Sequence, residues 1–185
     1  MSGASSEAPP GSFTVRPTTP GLGRRMACFL YEGVLLFGVL MVAGLLYGTA
    51  TDQRHALLGR HGLQAFLFVV LGGYFAWFWS HGGQTVAMKT WRIRVLRADG
   101  APLSIAHALL RYLLGWLWFA PALLALWWAG MSSTGPIFGA LAAGVAGYAG
   151  LAWLRPDRQF WHDVAGGTRL VHWQPVPAAR AEGPA

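Results

Sequence analysis

An all-α membrane protein is the fold class the sequence predicts: a four-helix transmembrane bundle with a short cytoplasmic β-hairpin-like insert pairing with the C-terminal segment. Three observations predict it. Hydrophobic residues make up 54% of the 185 and charged residues only 11%, too little charge to cover a soluble domain of this size. Four apolar stretches, residues 26–48, 63–80, 112–130 and 136–154, come close to or exceed the roughly 20 residues that a helical span requires. Between the second and third lies HGGQTVAMKTWRIRVLRADGAPLS, residues 81–104, basic and patterned like a strand.

Residues 1–20 are rich in Ser, Pro and Thr and are expected to be disordered. The run at 26–48 exceeds the roughly 7–15 apolar residues of a signal peptide, so it reads as an uncleaved span. Cys28 is the single cysteine; it gives no evidence of an oxidising compartment and is expected to fill a small packing position. Gly44 and Gly48 form a GxxxG, and Gly139, Ala143 and Gly147 a small-residue ridge. Both are expected to bring helices together within one subunit, with a dimer interface as the alternative. The second stretch is short and contains Gly72-Gly73, which leaves a three-span arrangement as the runner-up. Gly135-Pro136 separates the last two spans as a turn followed by proline at a helix start.

Basic residues set the orientation. All Lys and Arg except Arg54 and Arg60 fall in the N-terminal segment, in the insert with the helix start that follows, or in the C-terminal segment. With four spans these lie on one side, so both termini and the insert are expected in the cytoplasm. Trp77, Trp79, Trp116, Trp118, Trp127, Trp128 and Trp153 sit near the span ends and are expected to anchor them at the lipid interface.

Within the insert, Trp91, Ile93 and Val95 alternate with Thr90, Arg92 and Arg94, a period of two. Asp99-Gly100 supplies a turn and Ser104 an N-cap for IAHALLRYLL. Pro121 is expected to kink or interrupt the third span. The tail RPDRQFWHDVAGGTRLVHW reads as a short helix ending at Gly166-Gly167, then an extended run over 168–173. Pairing this run with residues 91–96 reduces the number of unpaired backbone groups near the headgroups. Residues 174–185 are expected to be a second disordered tail.

Glu32 lies inside the first apolar run, where a carboxylate is costly unless paired, hydrated or protonated. Arg25, seven residues earlier, shares its helix face, and Asp163 from the tail helix is placed to approach the same arginine. Two readings follow: an ion- or proton-linked site built from Arg24, Arg25, Glu32 and Asp163, or a salt-bridged clasp that fastens the tail to the first helix. Lys89, Arg92, Arg94 and Arg97 are expected to meet anionic lipid headgroups. Other chemistry is weakly supported. GQTVAMKT follows a span rather than a strand and has Met88 at the second glycine of a phosphate loop. The histidines, His55 and His61 included, lack metal-ligand spacing. His162-Asp163 resembles a metal-hydrolase dipeptide with no further ligands. No enzyme activity, cofactor, metal or nucleic acid is expected.

GLGRRMACFLYE, GQTVAMKTWRIRVLRADGAPLS with the following ALLRYL, and RQFWHDVAGGTRLV resemble the three signature regions of the RDD family of small bacterial integral membrane proteins. They occur in the family's order, over about residues 21–173. The family is named for an arginine and two aspartates. The resemblance maps the arginine onto Arg24-Arg25, with Arg25 preferred, the first aspartate onto Glu32 and the second onto Asp163. The insert departs from the family's GxTxGK, with Ala87 and Met88 where Gly and Lys are common and Lys89 one place later. The resemblance implies an inner-membrane protein with ion- or proton-linked transport; four spans leave little room for a path, so transport predicts a homo-oligomer. A scaffold or regulatory partner working through its basic face is the alternative.

Overall fold

A computed structural model describes residues 15–16, 18–51, 60–131 and 133–173; Arg54, His55 and the C-terminal tail lie outside the described residues. Helix α1 runs over Leu22–Ala50 and α2 over Arg60–Ser80. A short α3, Val86–Thr90, leads into strand β2, Ile93–Arg97. Helix α4, Ile105–Gly115, ends in a 3-10 turn at Trp116–Trp118, and α5 follows over Ala120–Trp128. Helix α6, Thr134–Gly150, passes through a second 3-10 turn, Leu151–Leu154, to α7, Trp161–Ala165, and strand β3, Thr168–Trp173.

Three helical segments, Leu22–Ala50, Arg60–Ser80 and Thr134–Leu154, are each long and apolar enough to cross a membrane. The second span, suspected of being too short, reaches 21 residues. The third is broken: Ile105–Trp118 and Ala120–Trp128 are long and apolar enough together but are bent by 44° at the break. The segment also begins earlier than the expected residue 112. Pro121 explains the break. It lacks an N–H, and its ring excludes the carbonyl four residues back, so it is tolerated only in the first turn of a new helix, where it stands in α5. Along α1, Leu30, Val34, Phe37, Met41 and Leu45 are each more than half exposed; their three- and four-residue spacing makes one apolar outer stripe.

The expected pairing of insert and tail is present. Strands β2 and β3 are antiparallel, with Ile93 opposite His172 and Arg97 opposite Thr168. Two residues of the segment expected to be a disordered tail, Val15–Arg16, form strand β1 on the other side of β3, opposite Trp173 and His172. The sheet order is β1-β3-β2. The insert is not a hairpin of two strands. Asp99 and Gly100 make the turn, with Gly100 at φ 88 and Asp99 Oδ1 accepting from the Ala101 amide at 2.9 Å, but β2 finds its partner in the tail.

Side chains and turns satisfy the sheet's outer edges. Gly83 O accepts from the Val95 amide at 2.7 Å, and Gln84 Nε2 donates to Ile93 O at 2.7 Å. On β3, beyond the end of β1, the Gln159 amide bonds both the N–H (3.0 Å) and C=O (2.9 Å) of Leu170. Open strand edges would leave these groups unpaired beside the apolar helices. Gly83 is confined by this arrangement: it sits at φ 69 and a Cβ there would stand 2.5 Å from Val95 O.

Caps read from the sequence are present. Ser104 Oγ accepts from the His107 amide, and Gly166 and Gly167 end α7. The small-residue ridges are used differently from the expectation: a Cβ on Gly44, Gly48, Gly139 or Gly147 would meet nothing within 4 Å, whereas one on Gly144 would lie 2.9 Å from Ala122 Cβ, where α5 and α6 approach. Cys28 is buried in the core. That core sits at the sheet end of the helices and joins Ile93, Val95 and Leu170 to Trp79, Ala108, Tyr112 and Trp118. Trp79 and Trp118 are therefore packing residues, 9% and 6% exposed, while Trp77, Trp127, Trp128 and Trp153 are well exposed, as anchors are.

Candidate functional site

Where α1, α2 and α4 converge on the sheet, a cavity of about 380 Å³ is lined by Arg25, Glu32, Arg111 and His162 on otherwise apolar walls. Phe29 and Leu36 come from α1, Phe75 from α2, and Trp118 from the 3-10 turn. The charges line the cavity because each sits on a helix face turned inward; Arg25, Glu32 and Arg111 are all at most 8% exposed.

Glu32 is held by hydroxyls rather than by arginine. Tyr74 Oη on α2 donates to its Oε1 at 2.7 Å, and Thr85 Oγ1 donates to its Oε2. Thr85 also caps α3, accepting from the Met88 amide at 3.2 Å. One carboxylate therefore ties α1 to α2 and to the insert. The expected Arg25–Glu32–Asp163 network is therefore divided: Asp163 stands within electrostatic reach of Arg25, while Glu32 takes Tyr74 and Thr85. Seven residues do bring Arg25 and Glu32 onto one face, but they also separate them by about 10 Å along the axis, and each side chain takes partners at its own level. The carboxylate points inward, to the cavity and the two hydroxyls.

Asp163 pairs with Arg111, the arginine of the helix that follows the insert. Its side chain is fully buried and forms an ion pair with Arg111. His162 Nε2 lies 3.1 Å from the same Oδ1, and Arg111 Nη1 also donates to Thr168 Oγ1 at 2.9 Å. Tyr148 extends the cluster: its hydroxyl accepts from the His162 amide at 2.9 Å and lies 3.0 Å from Nδ1. Burial pushes the Asp163 carboxyl up, but Arg111 and then His162 outweigh it and leave its pKa lowered to about 2. The signal for Arg111 was available: an arginine inside ALLRYLL, on an apolar helix, needs a partner or a function.

Arg25 lies with its guanidinium carbon 4.1 Å from the centre of the Phe160 ring. Arg24 is exposed and turns to the sheet, with Nη1 2.8 Å from His172 Nε2. Of the four basic residues expected at headgroups, Lys89 and Arg92 are exposed, Arg94 is half-buried, and Arg97 pairs with Asp99 at 2.9 Å. Among the described residues no three His, Cys, Asp or Glu side chains are grouped to hold a metal.

The model of the RDD family matches residues 19–167 of this chain. Neither a curated protein nor a solved structure matches it.

Proposed function

The chain belongs to the RDD family and is a membrane protein, and from that premise we propose ion- or proton-linked transport by an oligomer in the bacterial inner membrane. The bent pair counts as the third of four spans, and both termini and the insert face the cytoplasm, in keeping with the distribution of Lys and Arg. The observation that carries the reading is a carboxylate on the wall of a cavity among membrane-length helices. In this reading Glu32 takes up and releases the proton or cation, Tyr74 and Thr85 orient it, and Arg25 supplies a fixed positive charge. The chemistry needs no cofactor and forms no covalent bond, so the protein is not an enzyme. Lys89 and Arg92 meet anionic headgroups. Four spans leave little room for a path within one subunit, which is why the reading requires several copies.

The test is purified protein in sealed vesicles, assayed for proton-coupled flux of monovalent cations, with Glu32→Gln as the control. Gln keeps the size and an acceptor for the hydroxyls but cannot ionise. Flux in the wild type and its absence in a Glu32→Gln protein that melts normally is the expected result. A flat wild-type response, or full flux in the variant, refutes it.

A specific observation favours the second reading, a non-transporting scaffold or regulatory partner. Both Glu32 oxygens are hydrogen-bonded and Asp163 is closed off by Arg111, so the charges fasten insert and tail to the helices and present the basic face to a partner. No flux, together with a reduced protein level in Glu32→Gln, supports it.

A further inference from the structure

Arg25 is short of partners. A guanidinium carries five N–H donors in a rigid fork, and this one is 4% exposed, yet among the described residues no acceptor reaches its Nε or Nη1. The Nε of Arg111, on the same cavity, is also without one. Asp163 is within electrostatic reach of Arg25, but its Oδ1 serves Arg111 and His162, and its buried Oδ2 makes no hydrogen bond, to Arg25 or to any other described residue. Glu32 is held two turns further along α1 by Tyr74 and Thr85. This end of the cavity therefore has two guanidinium charges for one carboxylate. A buried cation without a counter-charge is strongly unfavourable.

Apart from Glu32, whose two oxygens are taken by Tyr74 and Thr85, the rest of the cavity is apolar, and its size falls within the roughly 300–1,000 Å³ of small-molecule sites. Leu30 and Trp116 line it and are also 66% and 38% exposed on the outer surface, so its mouth opens on the apolar flank of the helices. Gly33 and Gly115 line it too, and a Cβ on either would meet nothing within 4 Å. Positive charge lies at the inner end, aromatic walls follow, and the opening faces where lipid chains lie.

We propose that this cavity is a site for one anionic phospholipid, its phosphate on Arg25 and Arg111, part of one acyl chain along the aromatic wall, and the remainder in the bilayer. A free hydrated anion fits less well, since it must shed its water in an apolar entrance that offers nothing in return. The inference does not rest on transport: a chain with no flux still binds the lipid.

Native mass spectrometry of the full chain in neutral detergent, titrated with phosphatidylglycerol, phosphatidylcholine or inorganic phosphate, tests it. The wild type is expected to hold one phosphatidylglycerol per chain, about tenfold or more tighter than phosphatidylcholine, whose phosphate is the same but whose trimethylammonium group adds a positive charge beside two guanidinium groups. Arg25→Gln loses that preference, Arg25→Lys keeps part of it, and Gly33→Leu, which fills the cavity without moving backbone, weakens retention while melting like the wild type. Equal retention of the two lipids by the wild type overturns the proposal. So does an unchanged preference in Gly33→Leu, or displacement of phosphatidylglycerol by millimolar inorganic phosphate, which marks a soluble-anion site. If Arg25→Gln does not fold, the Arg25→Lys and Gly33→Leu results decide.

Discussion

Asp163→Asn is the perturbation whose cost the structure fixes best. The side chain is 0% exposed and faces Arg111, itself 7% exposed, in a pair closed over by Thr168 and His162. Removing one charge leaves the other buried without compensation, a loss of about 3–5 kcal/mol. In a domain of this length each kcal/mol lowers the melting temperature by about 2–4 °C, so a fall of about 6–20 °C is expected. Tryptophan fluorescence in detergent reports it directly, because Trp79 lies against Arg111 and Trp118 near His162. Arg111→Met should cost about as much. The double variant Arg111→Met with Asp163→Leu should recover at least about 2 kcal/mol of the sum, since two apolar side chains leave no stranded charge. Melting of Asp163→Asn within about 2 °C of the wild type, or strict additivity in the cycle, refutes the reasoning.

Three further outcomes follow from other contacts. Because the Asp163 pKa is lowered to about 2 in the folded chain, its ionisation stabilises the fold at pH above the ordinary carboxylate value near 4. At most about 2 kcal/mol is lost as pH falls toward the folded value, and pH-dependent melting should lose this component in Asp163→Asn. Gly83→Ala places a Cβ against Val95 O at a positive φ and should cost about 1–3 kcal/mol, with faster amide exchange at Val95. The transport reading requires several copies, and Ala143 is exposed on a ridge whose glycines have open space beside them; Ala143→Cys should form a disulfide-linked dimer in native membranes, and a monomer under oxidation counts against that reading.

The helical framework was legible because a run of some twenty apolar residues is a one-dimensional signal that needs no knowledge of neighbours. The same holds for the alternation that marks β2, the Ser104 cap, and the glycines that end α7. Even Pro121 announced the break between α4 and α5, though not that the segment begins at Ile105. Helix α3 has five residues, too few for a periodic pattern. The site was less legible because its partners lie far apart in sequence: Tyr74 and Thr85 stand 42 and 53 residues from Glu32, and Arg111 stands 52 from Asp163. Periodicity places Arg25 and Glu32 on one face correctly, yet the choice of acceptor is made by helix packing. Counting Arg111 as an orientation charge concealed that it is buried.

The sheet imposes an order on biogenesis. Its middle strand, β3, is also the last of the three to leave the ribosome, so the strands synthesised earlier have no neighbour while the helices enter the bilayer. Arg111 waits in the same way, uncompensated until translation reaches Asp163. Assembly is therefore sealed in one late step, when the final strand threads between its two predecessors and delivers the missing carboxylate together with them. A nascent chain halted before that point exposes unpaired backbone and a solitary cation.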